Sequence, residues 1–243
     1  MPGTEEVDKY LTISIDTEPD CSDTWALSDP LTFTGMDVGI GERLHPLFLK
    51  YGVRPTYLIN SIVLEHEPSV DVLRNLDGSY ELAPHMHCEF IEPEKLYDDY
   101  AGIQMKGNQC FLDPGIEFQK LENITNLFTF RFGRRPVSYR VGRFSAGANT
   151  IRSLRSLGYK VDTSVTPHIN WNDKTRERPV DYRAAPEQSY FVSDESIIQP
   201  DERSTLLEVP VSLIPSEAWR ANSWAMASSE GSIVAEAVLL DVR

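Results

Sequence analysis

Short β-rich runs alternate with amphipathic stretches along most of this chain, and that alternation limits the fold more than any single residue. "YLTISID" at 10–16 is the first run, and it ends in acid. "GIGERLHPLFLKYG" reads as a helix with Leu44, Leu47 and Phe48 on one face and Gly52 as its stop. "RPTYLIN" is a second strand, "SVDVLRNLDG" a short helix closed by Gly78, and "YELAPHMH" a third strand. Pro84 suits the terminus of that strand better than its centre. In "PGIEFQKLENITNLFTFRFG", Leu121, Ile124, Leu127 and Phe128 recur at helical spacing. "VSYRVGRF" is a fourth strand, "GANTIRSLRSLGYK" a helix capped by Asn149 or Thr150, "VDTSV" a fifth strand and "TLLEVPVSLI" a later one. Between 167 and 200 the chain is polar, with a hairpin expected around "YRAAPEQSYFV". Parallel strands joined by crossover helices satisfy this order, so the expected fold is a single α/β barrel.

The length of 243 residues allows one such barrel or two small domains. No internal repeat favours the second. The net charge of −14 repels phosphate backbones, which argues against a nucleic-acid partner. Cys21, Cys88 and Cys110 make neither a disulfide framework nor a paired-cysteine zinc site, and are expected as reduced, mostly buried thiols. No apolar run is long enough to span a bilayer, and "MPGTEEVDKY" lacks the basic-then-apolar plan of a secretory signal. A cytoplasmic location is the resulting expectation.

The strand ends carry the chemistry. In βα barrels the reacting groups gather where strands finish. The first strand ends "SIDTEPD", with Asp16 and Glu18 two residues apart, and the third ends "APHMH", with His85 and His87 two apart. Side chains at i and i+2 of an extended segment share a face. Neighbouring strands would bring the acid pair to the histidine pair. Two imidazoles and a carboxylate are a common catalytic metal set, and the second carboxylate is then available to take a proton from water. Either pair alone has a plain alternative, as a helix cap, a turn former or a surface accident. Arg140 and Arg143 flank Gly142 at the end of the fourth strand, where an arginine could pair with the charge of Asp16. Their plain alternative is an exposed ion pair of little weight.

"TISIDTEPD", "ELAPHMH", "SYRVGRFSAGANTIRSLRSLGYKVDTSVTP" and "LLEVPVSL" occur in the order and spacing of the polysaccharide deacetylases, carbohydrate esterase family 4, also called the NodB-homology domain. The chain resembles most a bacterial subgroup associated with cell-surface polysaccharide biosynthesis. The resemblance covers residues 8–215 as one domain. Residues 216–243 form a divergent segment of the same domain. It implies a distorted (β/α) barrel, here with its last strand–helix units incomplete or divergent. It also implies one divalent metal, usually zinc, and removal of acetyl groups from N-acetylated sugars.

Carried over by residue, Asp16 resembles the base that activates water on the metal. Glu18, His85 and His87 resemble the metal ligands, and Arg140 the arginine that holds the base. Arg143, in "VGRF", looks like part of a sugar-groove wall. Asp162 and Trp171 fall where the family places groove and base-supporting residues. Three departures stand out. The acids are separated by Thr17 where the family has adjacent aspartates, so the roles of Asp16 and Glu18 can be exchanged. The histidines are closer than the family spacing. No histidine follows His168, whereas the family's last strand carries one as general acid; Asp241, in "VLLD", is the nearest look-alike and His168 a substitute donor. Two other readings stay open: a non-catalytic homologue that binds a glycan or a protein, and a hydrolase of small cyclic amides.

Overall fold

A computed structural model describes residues 9–172, 180–213 and 235–241. Eight strands form one mixed sheet in the order β6-β7-β5-β4-β3-β2-β1-β8. They are β1 (Lys9–Thr17), β2 (Thr56–Asn60), β3 (Glu81–Met86), β4 (Ser138–Val141), β5 (Val161–Asp162), β6 (Tyr190–Phe191), β7 (Leu207–Glu208) and β8 (Ala235–Asp241). The six strands β1, β2, β3, β4, β5 and β7 pair in parallel. β6 and β8 close the two edges antiparallel. β2 and β3 are buried on both faces after their first residue, as parallel strands covered by helices are.

The expected barrel is therefore partial: the strands make a half-barrel, and among the described residues β6 and β8 do not meet. One edge belongs to β8, which runs back along β1 and sets Asp241 opposite Lys9. Asp16 lies seven residues further along β1, so Asp241 stands at the opposite end of the strand from the acids. The rest of 216–243 lies outside the described residues.

The helices are α1 (His45–Tyr51), α2 (Ser61–Glu65), α3 (Glu67–Arg74), α4 (Pro114–Phe132) and α5 (Ala148–Ser156). A wide-turned π-helix over Gly35–Leu44 runs directly into α1. Its wider turn brings residues four apart under one face, so Met36, Ile40 and Phe48 are buried with Leu44 half-buried between them. Leu47, expected on that face, points outward and is 47% exposed. Gly52 ends α1 in the left-handed region, at φ 67°, as its sequence position suggested. Asp113 caps α4 through a 2.8 Å bond from the Gly115 N–H. Its buried stripe is Leu121, Ile124 and Phe128. α5 starts at Gly147 rather than at a polar cap, and the hydroxyl of Thr150 reaches back to accept from the Gly147 N–H at 3.0 Å.

Pro84 lies inside β3, between two neighbouring strands, and not at its end. It pairs in register with Ile59 of β2, while the ladder to β4 begins only at His85. The missing N–H thus falls where the β4 ladder has not started. The core between sheet and helices includes Tyr57, Ile59, Leu64, Leu73, Phe128, Tyr139, Ile151 and Leu154. Each large apolar side chain so buried contributes about 1.5–3 kcal/mol. Cys88 is buried and Cys110 half-buried, but Cys21 is exposed, against expectation.

Candidate metal centre

Because β1 to β4 run parallel, their carboxyl ends open on one side of the sheet. The register lines up the site residues. Asn60 stands opposite His85, and His85 opposite Arg140. Thr17 pairs with Ile59, which brings Glu18, the next residue, level with Asn60.

Glu18 meets both imidazoles. Its Oε1 lies 2.7 Å from His87 Nε2 and 3.2 Å from His85 Nε2. One donor atom from each of Glu18, His85 and His87 falls within 4.8 Å of the other two. His85 and His87 are buried, and the Glu18 side chain keeps 13% exposure. Burial works to raise the Glu18 carboxyl, but His87 and His85 beside it hold it well below the usual range. Burial likewise works to lower His87, and the Glu18 charge overcomes it, raising the imidazole to about 10. The trio thus calls for positive charge among its donor atoms, which a cation supplies as a proton does. His85 Nδ1 lies 3.2 Å from the Arg140 carbonyl oxygen, which can only accept. Nδ1 therefore carries a proton, which leaves Nε2, the nitrogen that faces Glu18, as the one a metal would take. On donor type and on orientation, these residues fit a divalent cation such as zinc.

Asp16 stands beside the trio, with Oδ2 3.9 Å from His85 Nε2 and Oδ1 accepting from Arg140 Nη1 at 2.9 Å. Arg140 is buried and fixed on every side. Its Nε donates to the Thr163 carbonyl at 3.0 Å, and Nη2 donates to Ser14 Oγ at 2.7 Å and Thr163 Oγ1 at 3.1 Å. This is no exposed ion pair; five-donor geometry and burial make Arg140 a rigid clamp on Asp16.

The remaining candidates lie outside the trio. Asp162, expected at the groove, is fully buried and accepts from Ser164 Oγ at 2.6 Å. It stands in register opposite buried Glu208, whose Oε1 accepts from the Val165 N–H at 3.0 Å. Burial raises Asp162 to about 6, and burial with the Asp162 charge raises Glu208 well above the carboxylate range. Both carboxyls lie fully buried within reach of the Arg140 charge, too deep to touch a substrate. Trp171 stacks on Phe144, with ring centroids 5.9 Å apart and planes 9° apart, and its Nε1 donates to Thr166 Oγ1 at 2.9 Å. Phe144 in turn lies under the Arg140 guanidinium at 5.9 Å, so this aromatic pair flanks the acid end of the site. Arg143 is half-buried in the left-handed backbone region, at φ 58°, and its charge acts on the Cys88 thiol.

The other histidines are engaged elsewhere. His45 bonds Tyr57 and the Asp77 carbonyl, His66 bonds Ser69, and exposed His168 pairs with Glu187. Three residues that surround the candidate site were missed in the sequence. Asn60, at the end of β2, donates from Nδ2 toward Glu18 Oε1 at 3.4 Å and caps α2 through Oδ1. Its place at the end of "YLIN" was a usable signal. Glu89, two residues past His87, and Glu208, inside "LLEVPV", were the others.

No family model matches the chain, and no curated protein matches it. Solved structures are similar to it, among them the following three. One is an assigned polysaccharide deacetylase from Mycobacterium smegmatis, at 13% identity over 83% of this chain and 58% of its own length, with a TM-score of 0.48. Another is an assigned glycoside hydrolase/deacetylase from Parabacteroides distasonis, at 11% identity over 82% of this chain and 44% of its own, with a TM-score of 0.48. The third is Puue allantoinase, at 15% identity over 72% of this chain and 46% of its own, with a TM-score of 0.43. The chain thus spans 44–58% of the length of the structures it resembles.

Proposed function

We propose that this chain is a metal-dependent hydrolase that removes acetyl groups from an N-acetylated glycan. The observation that carries the reading is the convergence of Glu18, His85 and His87 beside an acid clamped by a buried arginine. Glu18, His85 and His87 would hold the cation, zinc being the one their donor types favour. Bound there, a divalent cation supplies Lewis acidity to a carbonyl and eases deprotonation of water.

The chain's own residues do the rest. Asp16 is the base because its Oδ1 is occupied by Arg140 while Oδ2 turns toward the metal ligands. A water attacking the acetyl carbon gives its proton to that carboxylate. Arg140 keeps the carboxylate from swinging away and offsets its charge. When the C–N bond breaks, the departing nitrogen needs a proton. Asp16 then holds one within the site, and among the described residues no histidine other than His85 and His87 is placed there, so the same residue returns it. Phe144 and Trp171, stacked beside Arg140, offer a flat apolar face of the kind sugar rings lie against.

A second reading keeps the metal and the glycan but not the turnover, and it is favoured by the engagement of His45, His66 and His168 away from the site. Acetate release from N-acetylglucosamine oligosaccharides by the zinc-supplemented protein separates the two. We expect release that falls by about 10²–10⁴-fold in Asp16→Asn. Zinc bound without acetate release above that of Asp16→Asn overturns the hydrolase reading in favour of the binding one.

A further inference from the structure

His85 and His87 are both buried, yet only one of them has its second nitrogen settled. The Arg140 carbonyl fixes His85 Nδ1. His87 Nδ1 is buried without a hydrogen-bond partner, and the group that faces it is the carboxylate of Glu89, with Oε1 at 3.7 Å. Glu89 is itself buried, and it is anchored by the Lys106 N–H donating to the same oxygen at 3.1 Å. Two further contacts limit how His87 can move. A Cβ on Gly142 would come within 2.9 Å of the His87 ring, and Phe90 stacks along it with planes 29° apart. The ring is thus confined to a slot, with Glu18 at one end and Glu89 at the other.

We propose that Glu89 is a positioning residue for the metal centre: it accepts the Nδ1 proton of His87 and so turns the Nε2 lone pair toward the site shared with Glu18 and His85. The assignment rests on the metal-centre reading given above. A neutral imidazole presents one donor and one acceptor, and which nitrogen is which follows from its second partner. An acidic oxygen at Nδ1 selects the tautomer that can ligate through Nε2 and makes that nitrogen a better donor to the cation. Glu89 needs to close by about 1 Å to bond Nδ1, within the reach of one side-chain adjustment. The two histidines would then be held by different means, one by backbone and one by a carboxylate.

The test is zinc affinity by competition with a chromophoric chelator, for the wild-type protein, Glu89→Gln and Glu89→Ala. It is read beside long-range proton–nitrogen correlation spectra of zinc-loaded protein labelled at histidine nitrogen. Glu89→Gln preserves the shape and, with its amide oxygen in the place of Oε1, an acceptor for both Lys106 N–H and Nδ1, but removes the negative charge. We expect zinc affinity 10–100-fold weaker in Glu89→Ala and intermediate in Glu89→Gln. In the wild type the spectra should place the His87 proton on Nδ1. If Glu89→Ala fails to fold, Glu89→Gln and the wild-type spectrum decide. Affinity within twofold of wild type in every folded variant, or a His87 proton absent from Nδ1, overturns the assignment while leaving the metal centre intact. If the wild type binds no zinc, the centre falls first and the assignment with it.

Discussion

Replacing Arg140 with methionine tests the clamp on Asp16. Methionine keeps much of the buried stem volume but removes four hydrogen bonds: those to Asp16 Oδ1, Ser14 Oγ, the Thr163 carbonyl and Thr163 Oγ1. It also removes the positive charge above the buried Asp162–Glu208 pair. Breaking a buried pair by deleting one partner costs about 3–5 kcal/mol. Asp16 keeps 26% exposure, and water takes up part of its charge, so the lower end, about 3 kcal/mol, is the expectation. For a chain of this size, each kcal/mol moves Tm by about 2–4 °C, which gives a drop of about 6–12 °C in thermal unfolding followed by circular dichroism. A drop below about 2 °C would refute the claim that Arg140 is a buried clamp and return it to the class of weak surface pairs.

Glu208→Gln should behave differently, because burial raises both carboxyls of the pair. Above about pH 4 the folded state therefore binds protons that the unfolded state has lost, and the pair's contribution to stability falls as pH rises through about 6 and beyond. Urea denaturation at pH 4.5 and 7 should find the variant gaining on wild type as pH rises; a pH-independent difference would contradict the raised pair. Gly142→Ala places a Cβ 2.8 Å from the Met86 carbonyl and against His87, so we expect about 1–3 kcal/mol lost in denaturant unfolding, together with weaker zinc binding. With a thiol reagent at pH 8, Cys21 should label first and Cys88 not at all in folded protein, since burial raises the Cys88 thiol to about 12.

The site was legible where chemistry followed from local geometry. Asp16 with Glu18 and His85 with His87 are i, i+2 pairs on strand ends, and parallel pairing of both strands with β2, which lies between them, brought the donor atoms of Glu18, His85 and His87 together. What the sequence hid depends on contacts distant along the chain. Glu208 meets Asp162 only through the β5–β7 ladder, and that meeting, rather than any local signal, buries Asp162 away from the groove. Asn60 reads as a helix cap, which it is, while its other end reaches Glu18. Asp241 fell to strand direction: β8 runs antiparallel to β1, so the same spacing leads to the far end of the sheet. Leu47 sits in α1 beside a buried face made by His45 and Phe48, and falls on the solvent side of it.

The central claim is that Glu18, His85 and His87 form one cation site. Metal content by mass spectrometry, on protein stripped with chelator and reloaded with zinc, tests it directly in the wild type, Glu18→Ala and the His85→Ala/His87→Ala double variant. The expected result is about one zinc per wild-type chain and a loss of most of it in both variants. Zinc retained equally by folded variants, or absent from the reloaded wild type, would contradict the account.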